Sequence, residues 1–138
     1  MKTALLLSIS LAAVLSGCNQ SPSVLEYEIY GDAVTITRCD KNASGEIVIP
    51  DIIKNKPVTS IGKVGFFPRT TLTSITIPDN VNSIRDRAFY SCSSLESITI
   101  LDSVTSTRER LFTHCYVLDS ITIPNHVTPI GDYGLYNR

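Results

Sequence analysis

Four cysteines and two histidines carry the nucleophilic and metal-ligating potential of this 138-residue sequence. Cys92 and Cys115 lie 23 residues apart, and two readings of the pair stand side by side. If the chain is exported, oxidation favours a disulfide, and the same pair could contribute to a metal site. Alternatively the two form a column of buried thiols, since free cysteine is among the most buried residue types. Cys39 has no partner visible in the sequence. His114-Cys115 sets a base beside a nucleophile, yet sequence neighbours rarely face one another so that a proton can pass, and no acid or oxyanion loop is placed around them. No Gly-x-Ser-x-Gly, His-Glu-x-x-His, P-loop or Gly-x-Gly-x-x-Gly string occurs. The expected chemistry is binding rather than catalysis, with neither a metal nor a cofactor.

The same 23-residue interval arranges the charges. Arg85-Asp86-Arg87 and Arg108-Glu109-Arg110 are one interval apart, with Lys63 and Asp132 in phase with the central carboxylates. Arg85, Arg87, Arg108 and Arg110 thus form a candidate basic ladder. It could clamp a sulfated glycan or phosphate bidentately, or serve as a surface ion-pair ladder of little stabilising effect. The carboxylates between the arginines favour the second reading, because they neutralise much of the local field. Over the whole chain 12 basic residues face 13 acidic ones, a net charge of -1, so no global field draws nucleic acid or an anionic membrane.

A repeat positions these groups. Leu72-Thr-Ser-Ile75-Thr-Ile77 returns as Leu95-Glu-Ser-Ile98-Thr-Ile100 and as Leu118-Asp-Ser-Ile121-Thr-Ile123. Val58, Val81, Val104 and Val127 keep the interval, as do Phe66, Phe89, Phe112 and Leu135. Apolar residues at fixed phases of such a period mark a solenoid, in which each coil buries its face only against a neighbour. Within a coil, Leu72 to Ile77 reads as a strand, Pro78 ends it, Val81-x-x-Ile84 returns the chain, and Arg87 to Cys92 is expected to make a short helical turn. The outward strand positions, Ser74 and Thr76, Ser97 and Thr99, Ser120 and Thr122, form the candidate binding face. No aromatic residue lies among them, which argues against tight monovalent binding.

Before the repeats, Leu25, Tyr27 and Ile29 alternate with polar positions, Gly31-Asp32 signals a turn, and Val34 and Ile36 resume the alternation, predicting a β-hairpin over about 25–39. Earlier still, Lys2 precedes an apolar run from Ala4 to Leu15 and then Leu15-Ser16-Gly17-Cys18. That run is too short to span a bilayer as a helix, which needs about 20 residues. The segment resembles bacterial lipoprotein signals, which implies removal of 1–17 and acylation of Cys18, a stable anchor once more than one chain is attached. Residues 18–24 are then a lipid-anchored tether, and the mature protein is expected to face an extracytoplasmic space, on the outer membrane or cell surface.

The unit Leu-x-x-Ile-x-Ile-Pro-x-x-Val-x-x-Ile-x-x-x-Ala-Phe-x-x-Cys, carried almost whole by Leu72 to Cys92, resembles the BspA-type leucine-rich repeat of bacterial surface proteins. The resemblance covers about 25–138 and implies a mainly β leucine-rich-repeat solenoid with short helical turns: a hairpin cap and first strand over 25–50, then repeats over 51–138, about four stacked coils in all with the last incomplete. It also implies that the Cys92 and Cys115 phase is a buried thiol column. By resemblance the chain is a non-catalytic surface module for adhesion or protein binding, with a glycan-capturing lipoprotein and a structural envelope component as alternatives. Its ligand is expected to be an extracellular protein or glycan. The coil from Leu95 departs most, with Leu101 at the proline phase, Thr107 for isoleucine and Leu111 for alanine. Gly62 and Gly131 are replaced by Arg85 and Arg108 in the middle coils. The incomplete last coil, ending at Gly134-Leu-Tyr-Asn-Arg138, suggests self-association through an uncapped edge. Four rungs give a sheet only about 15 Å along the stack, and a concave patch of that length supplies less than the roughly 800 Å² per partner of a stable interface, so binding is expected to be weak, to recruit other faces, or to rely on many copies.

Overall fold

The computed structural model describes residues 24–127. The signal segment 1–17, Cys18, nearly all of the tether, and the partial coil with Ile130, Gly131, Asp132 and Leu135 lie outside the described residues.

The chain opens with an antiparallel hairpin, β1 (Leu25–Tyr30) and β2 (Ala33–Cys39), matching the predicted span. Gly31 takes φ +59° at the first turn position, the pattern of a type II′ connection whose twist suits paired strands. Leu25, Tyr27, Val34, Ile36 and Cys39 are buried, so the hairpin lays one alternating face on the core.

Coiling then begins. β3 (Gly45–Val48), β6 (Leu72–Thr76), β8 (Ser97–Thr99) and β10 (Ser120–Thr122) form a parallel four-stranded sheet in the order β10-β8-β6-β3. Register follows the repeat: Ser74, Ile75 and Thr76 pair with Ser97, Ile98 and Thr99, which pair with Ser120, Ile121 and Thr122. Ile75 and Ile98 point inward and are 2% exposed, while Ile121 on the last described rung is only partly buried.

The return across each coil is itself a second sheet. β5 (Lys56–Ile61), β7 (Ser83–Ile84) and β9 (Ser106–Thr107) pair in parallel, and β2 of the hairpin pairs in parallel with β5, giving the order β1-β2-β5-β7-β9. The hairpin therefore caps the solenoid by extending this sheet. Ahead of β5 a second, smaller hairpin forms: β4 (Ile52–Ile53) turns back onto β5 through Lys54 and Asn55, both at positive φ, as a type I′ connection requires. Gly62 sits where the capped coil meets the hairpin. Its N–H donates to the Ile36 carbonyl at 2.7 Å, and a Cβ there would come within 2.9 Å of that oxygen. The middle coils face another coil at this phase and accommodate Arg85 and Arg108.

The short helical turns expected over Arg87 to Cys92 and its equivalents are corrected. Among the described residues these segments are chains of i→i+3 turns, with Tyr90 N–H on Arg87 O at 3.2 Å and Cys92 N–H on Phe89 O at 3.3 Å. The reason is backbone handedness. Val64, Arg87 and Arg110, one interval apart, hold φ of 52°, 55° and 56°, and Ser91 and His114 hold 57° and 65°. Left-handed residues cannot continue a right-handed helix, and each costs on the order of 1–2 kcal/mol. The return is a bond between coils: Val64 N–H donates to Asp86 O, Arg87 N–H to Glu109 O and Ser91 N–H to Thr113 O, at 2.9 to 3.1 Å. Each turn thereby gives up helical geometry to tie its coil to the next.

Phe66, Phe89 and Phe112 fill the interior beneath these turns, with ring centroids 5.4 and 5.5 Å apart. Separations in this range suit aromatic stacking, worth about 0.5–1.5 kcal/mol per pair beyond area burial.

Candidate binding surface

The outward residues of the four-stranded sheet stand where the repeat predicts. Thr76, Thr99, Ser120 and Thr122 are exposed, and Ser74 and Ser97 are half-buried by their neighbours. They are brought together: a cavity of about 290 Å³ is lined by Ser74, Thr76, Ser97, Thr99 and Leu101 with the backbone-proximal isoleucines. A second, of about 450 Å³, shares Thr99 and Leu101 and continues past Asp79, Asp102, Ser103, Thr122 and Pro124. Leu101 is the link. In the adjacent coils its phase holds Pro78 and Pro124, so the departure noted in the sequence becomes a half-buried apolar side chain between two hollows of the candidate face.

At the opposite corner, where the second sheet ends, Arg85, Arg87 and Arg108 are exposed and Arg110 is half-buried. The backbone bond from Arg87 to Glu109 and that from Val64 to Asp86 stack this corner coil on coil, so Arg85 and Arg108, and Arg87 and Arg110, occupy matching positions of adjacent coils. Arg110 has interactions of its own there.

Beyond that corner runs a surface row that periodicity did not disclose. Phe67 and Tyr90 are 5.3 Å apart between centroids, Tyr90 meets the edge of His114 at 5.2 Å, and His114 meets Tyr116 at 5.6 Å, with the Tyr116 hydroxyl 2.9 Å from His114 Nδ1. Phe67 and Tyr116 are exposed. One interval on from Tyr90 the sequence has Thr113, which is buried. His114, left-handed, takes the ring's place in the row. A strict phase count therefore passes over it.

The cysteines resolve as thiols. Cys39, Cys92 and Cys115 are free and fully buried, and Cys92 and Cys115 donate their S–H to the Phe66 and Phe89 carbonyls at 3.2 and 3.1 Å. Burial pushes all three thiols up, Cys39 and Cys115 to about 11, so none is a ready nucleophile at neutral pH. His114 does not activate Cys115: its ring lies in the surface row, and the thiol points to a carbonyl inside. In the first coil the same phase holds Arg69. It is 5% exposed, and its guanidinium donates through Nε to the Cys39 carbonyl at 2.8 Å, with Nη2 on the same oxygen, and through Nη1 to Pro68 O at 2.9 Å. Arg69 thus bolts the cap to the first coil, a role without sequence signal beyond the break in the cysteine column.

Among the described residues no group of three or more His, Cys, Asp or Glu is placed to hold a metal ion, and no helix is long and apolar enough to cross a membrane. What the geometry offers is a hydroxyl-lined, grooved strand face on one side and an arginine and aromatic edge on another.

Comparison with known proteins accounts for this architecture. A leucine-rich repeat protein from T. pallidum superposes with a TM-score of 0.75 at 23% identity, covering 86% of this chain and 67% of that one, a likeness of fold. One from Bacteroides ovatus gives 0.74 at 30% identity over 82% of this chain and 31% of its own. A leucine rich cell surface protein from Faecalibacterium prausnitzii gives 0.66 at 27% identity over 90% and 41%. This chain spans less than half the length of the latter two. No curated protein matches. The family model for the BspA type leucine rich repeat region matches residues 41–138 in six copies, and the chain belongs to that family.

Proposed function

We propose that this chain is a non-catalytic binding module, held at a bacterial surface by a lipid on Cys18, that engages a protein partner through its strand face. The observation that carries the reading is the groove. Two cavities joined at Thr99 and Leu101 run over the outward positions of β6, β8 and β10, and a repeat sheet presents its recognition residues on that face. The cell-surface description of the F. prausnitzii structure supports the location. The test is capture from a solubilised extracellular-matrix protein extract by the immobilised full chain. Saturable capture lost on Thr99→Arg is the expected result, and equal capture by Thr99→Arg overturns the reading.

The exposed Arg85, Arg87 and Arg108 columns favour a second reading, capture of sulfated glycan. Heparin binding abolished by Arg85→Gln/Arg108→Gln and indifferent to Thr99→Arg would establish it instead. Labelling with a fatty-acid analogue tests the anchor: label is expected on the wild-type chain, and unchanged label on Cys18→Ala contradicts the lipid.

A further inference from the structure

We infer that the groove around Leu101 selects a cationic side chain, a lysine or arginine projecting from the protein partner; this rests on the strand face being the binding surface. Charge segregates along the coils from Leu72 onward, whereas the first coil carries Lys54 and Lys56 beyond its strand. Residues 44–53, 71–84, 94–107 and 118–127, which build the strand face and its borders, contain no lysine or arginine. Exposed Glu46, Asp51, Asp79, Glu96, Asp102 and Asp119 border the same strands, while Lys63 and the arginine columns are confined to the far corner. The face is thus uniformly acidic on a chain whose net charge is only -1, and a near-neutral protein with segregated charge attracts locally what it ignores globally.

The groove adds shape to that sign. Its exposed apolar surface is Leu101 and Pro124, and Asp79 and Asp102 stand on its rim one coil apart. Lysine and arginine have this division, an apolar stem below a charged head. The stem lies along Leu101 while the head lies between the two carboxylates. Ser103 lines the floor of the same cavity, with its hydroxyl oxygen buried. An anionic ligand meets like charge here, and a neutral sugar finds no aromatic platform, because the ring row lies at the other edge.

Titration of the full chain with a short oligolysine peptide, its acetylated counterpart and an oligoglutamate peptide tests the inference. Binding is expected for oligolysine alone, falling with added salt and weakened about tenfold or more in Asp79→Asn/Asp102→Asn. Glu26→Gln/Glu109→Gln removes the same charge off the face and is expected to bind as wild type. Leu101→Pro, which restores the neighbouring coils' residue at a position whose N–H pairs with no backbone carbonyl among the described residues, is expected to fold and to bind more weakly. Equal weakening by the two charge-neutralised pairs, or binding of acetylated peptide as tight as oligolysine, overturns the inference. Extract capture separates it from the reading beneath it. A captured protein that survives Asp79→Asn/Asp102→Asn but is lost on Thr99→Arg overturns the cationic groove and leaves protein binding intact. No capture by wild type overturns both.

Discussion

The strand face and the turn edge come from one 23-residue unit, yet they are built by opposite means. On the strand face, extended backbone does the positioning, so Ser74, Ser97 and Ser120 stand in register simply because their coils do. On the turn edge, left-handed residues at Val64, Arg87, Arg110, Ser91 and His114 do it, under strain, and Val64, Arg87 and Ser91 are held by bonds to the next coil. A repeat thus yields regular chemistry where its backbone is relaxed, and irregular chemistry, such as His114 displacing the Tyr90 phase, where it is strained.

Both sides rest on the phenylalanine stack, and the largest expected effect lies there. Phe89→Ala, in the middle of the stack, should destabilise the chain by about 3–5 kcal/mol in denaturant unfolding and loosen both sides together. Loosening of the turns alone would show that the two sides are not one cooperative unit. Arg69→Ala leaves the Cys39 carbonyl without its guanidinium and should cost about 1–3 kcal/mol, with hydrogen exchange rising first in β1 and β2. Uniform exchange would mean that Arg69 is not the bolt of the cap.

Smaller changes sharpen the contrast. Arg87→Gly removes left-handed strain and should be neutral or stabilising by up to about 1 kcal/mol, whereas Ser97→Gly on the relaxed strand should destabilise by a similar amount. Like signs for the two in thermal melts would break the comparison. The thiols report on the shared core through pH. Their folded values lie above the ordinary 9.0, at about 11 for Cys39 and Cys115. Their contribution is therefore fully present below about pH 9 and declines as pH rises from there towards 11. A shallower decline across that window in Cys39→Ala/Cys115→Ala than in wild type, the remainder belonging to the buried Cys92 thiol, is the expected pattern. Ser74→Ala is the mildest, within about 0.5 kcal/mol.

The contrast also explains what could be read beforehand. Leu72 to Ile77 and its copies were legible because a buried strand forces alternation at a fixed phase. The hairpin was legible from Leu25, Tyr27, Val34 and Ile36 for the same reason. Two-residue strands such as Ser83–Ile84 are too short to show a period, so the second sheet passed as a simple return. The positive φ values fall on Val, Arg, Ser and His, with no glycine to announce them, and a helical turn was expected in their place. Leu101 was visible as a departure from proline, but only the stacking of three coils turns it into the middle of a groove. Arg69 was hidden because its role lies in the cap it reaches, 30 residues earlier in the chain.

Binding by the strand face, and not by the turn edge, is what gives the regular side of the repeat its function. The most direct measurement compares the affinity of one matrix-extract protein for the wild-type chain, for Thr99→Arg in the centre of that face, and for Tyr90→Ala in the ring row, all confirmed folded by circular dichroism. Loss with Thr99→Arg and wild-type affinity with Tyr90→Ala is the predicted result. The reverse pattern would contradict it and move the binding site to the strained edge.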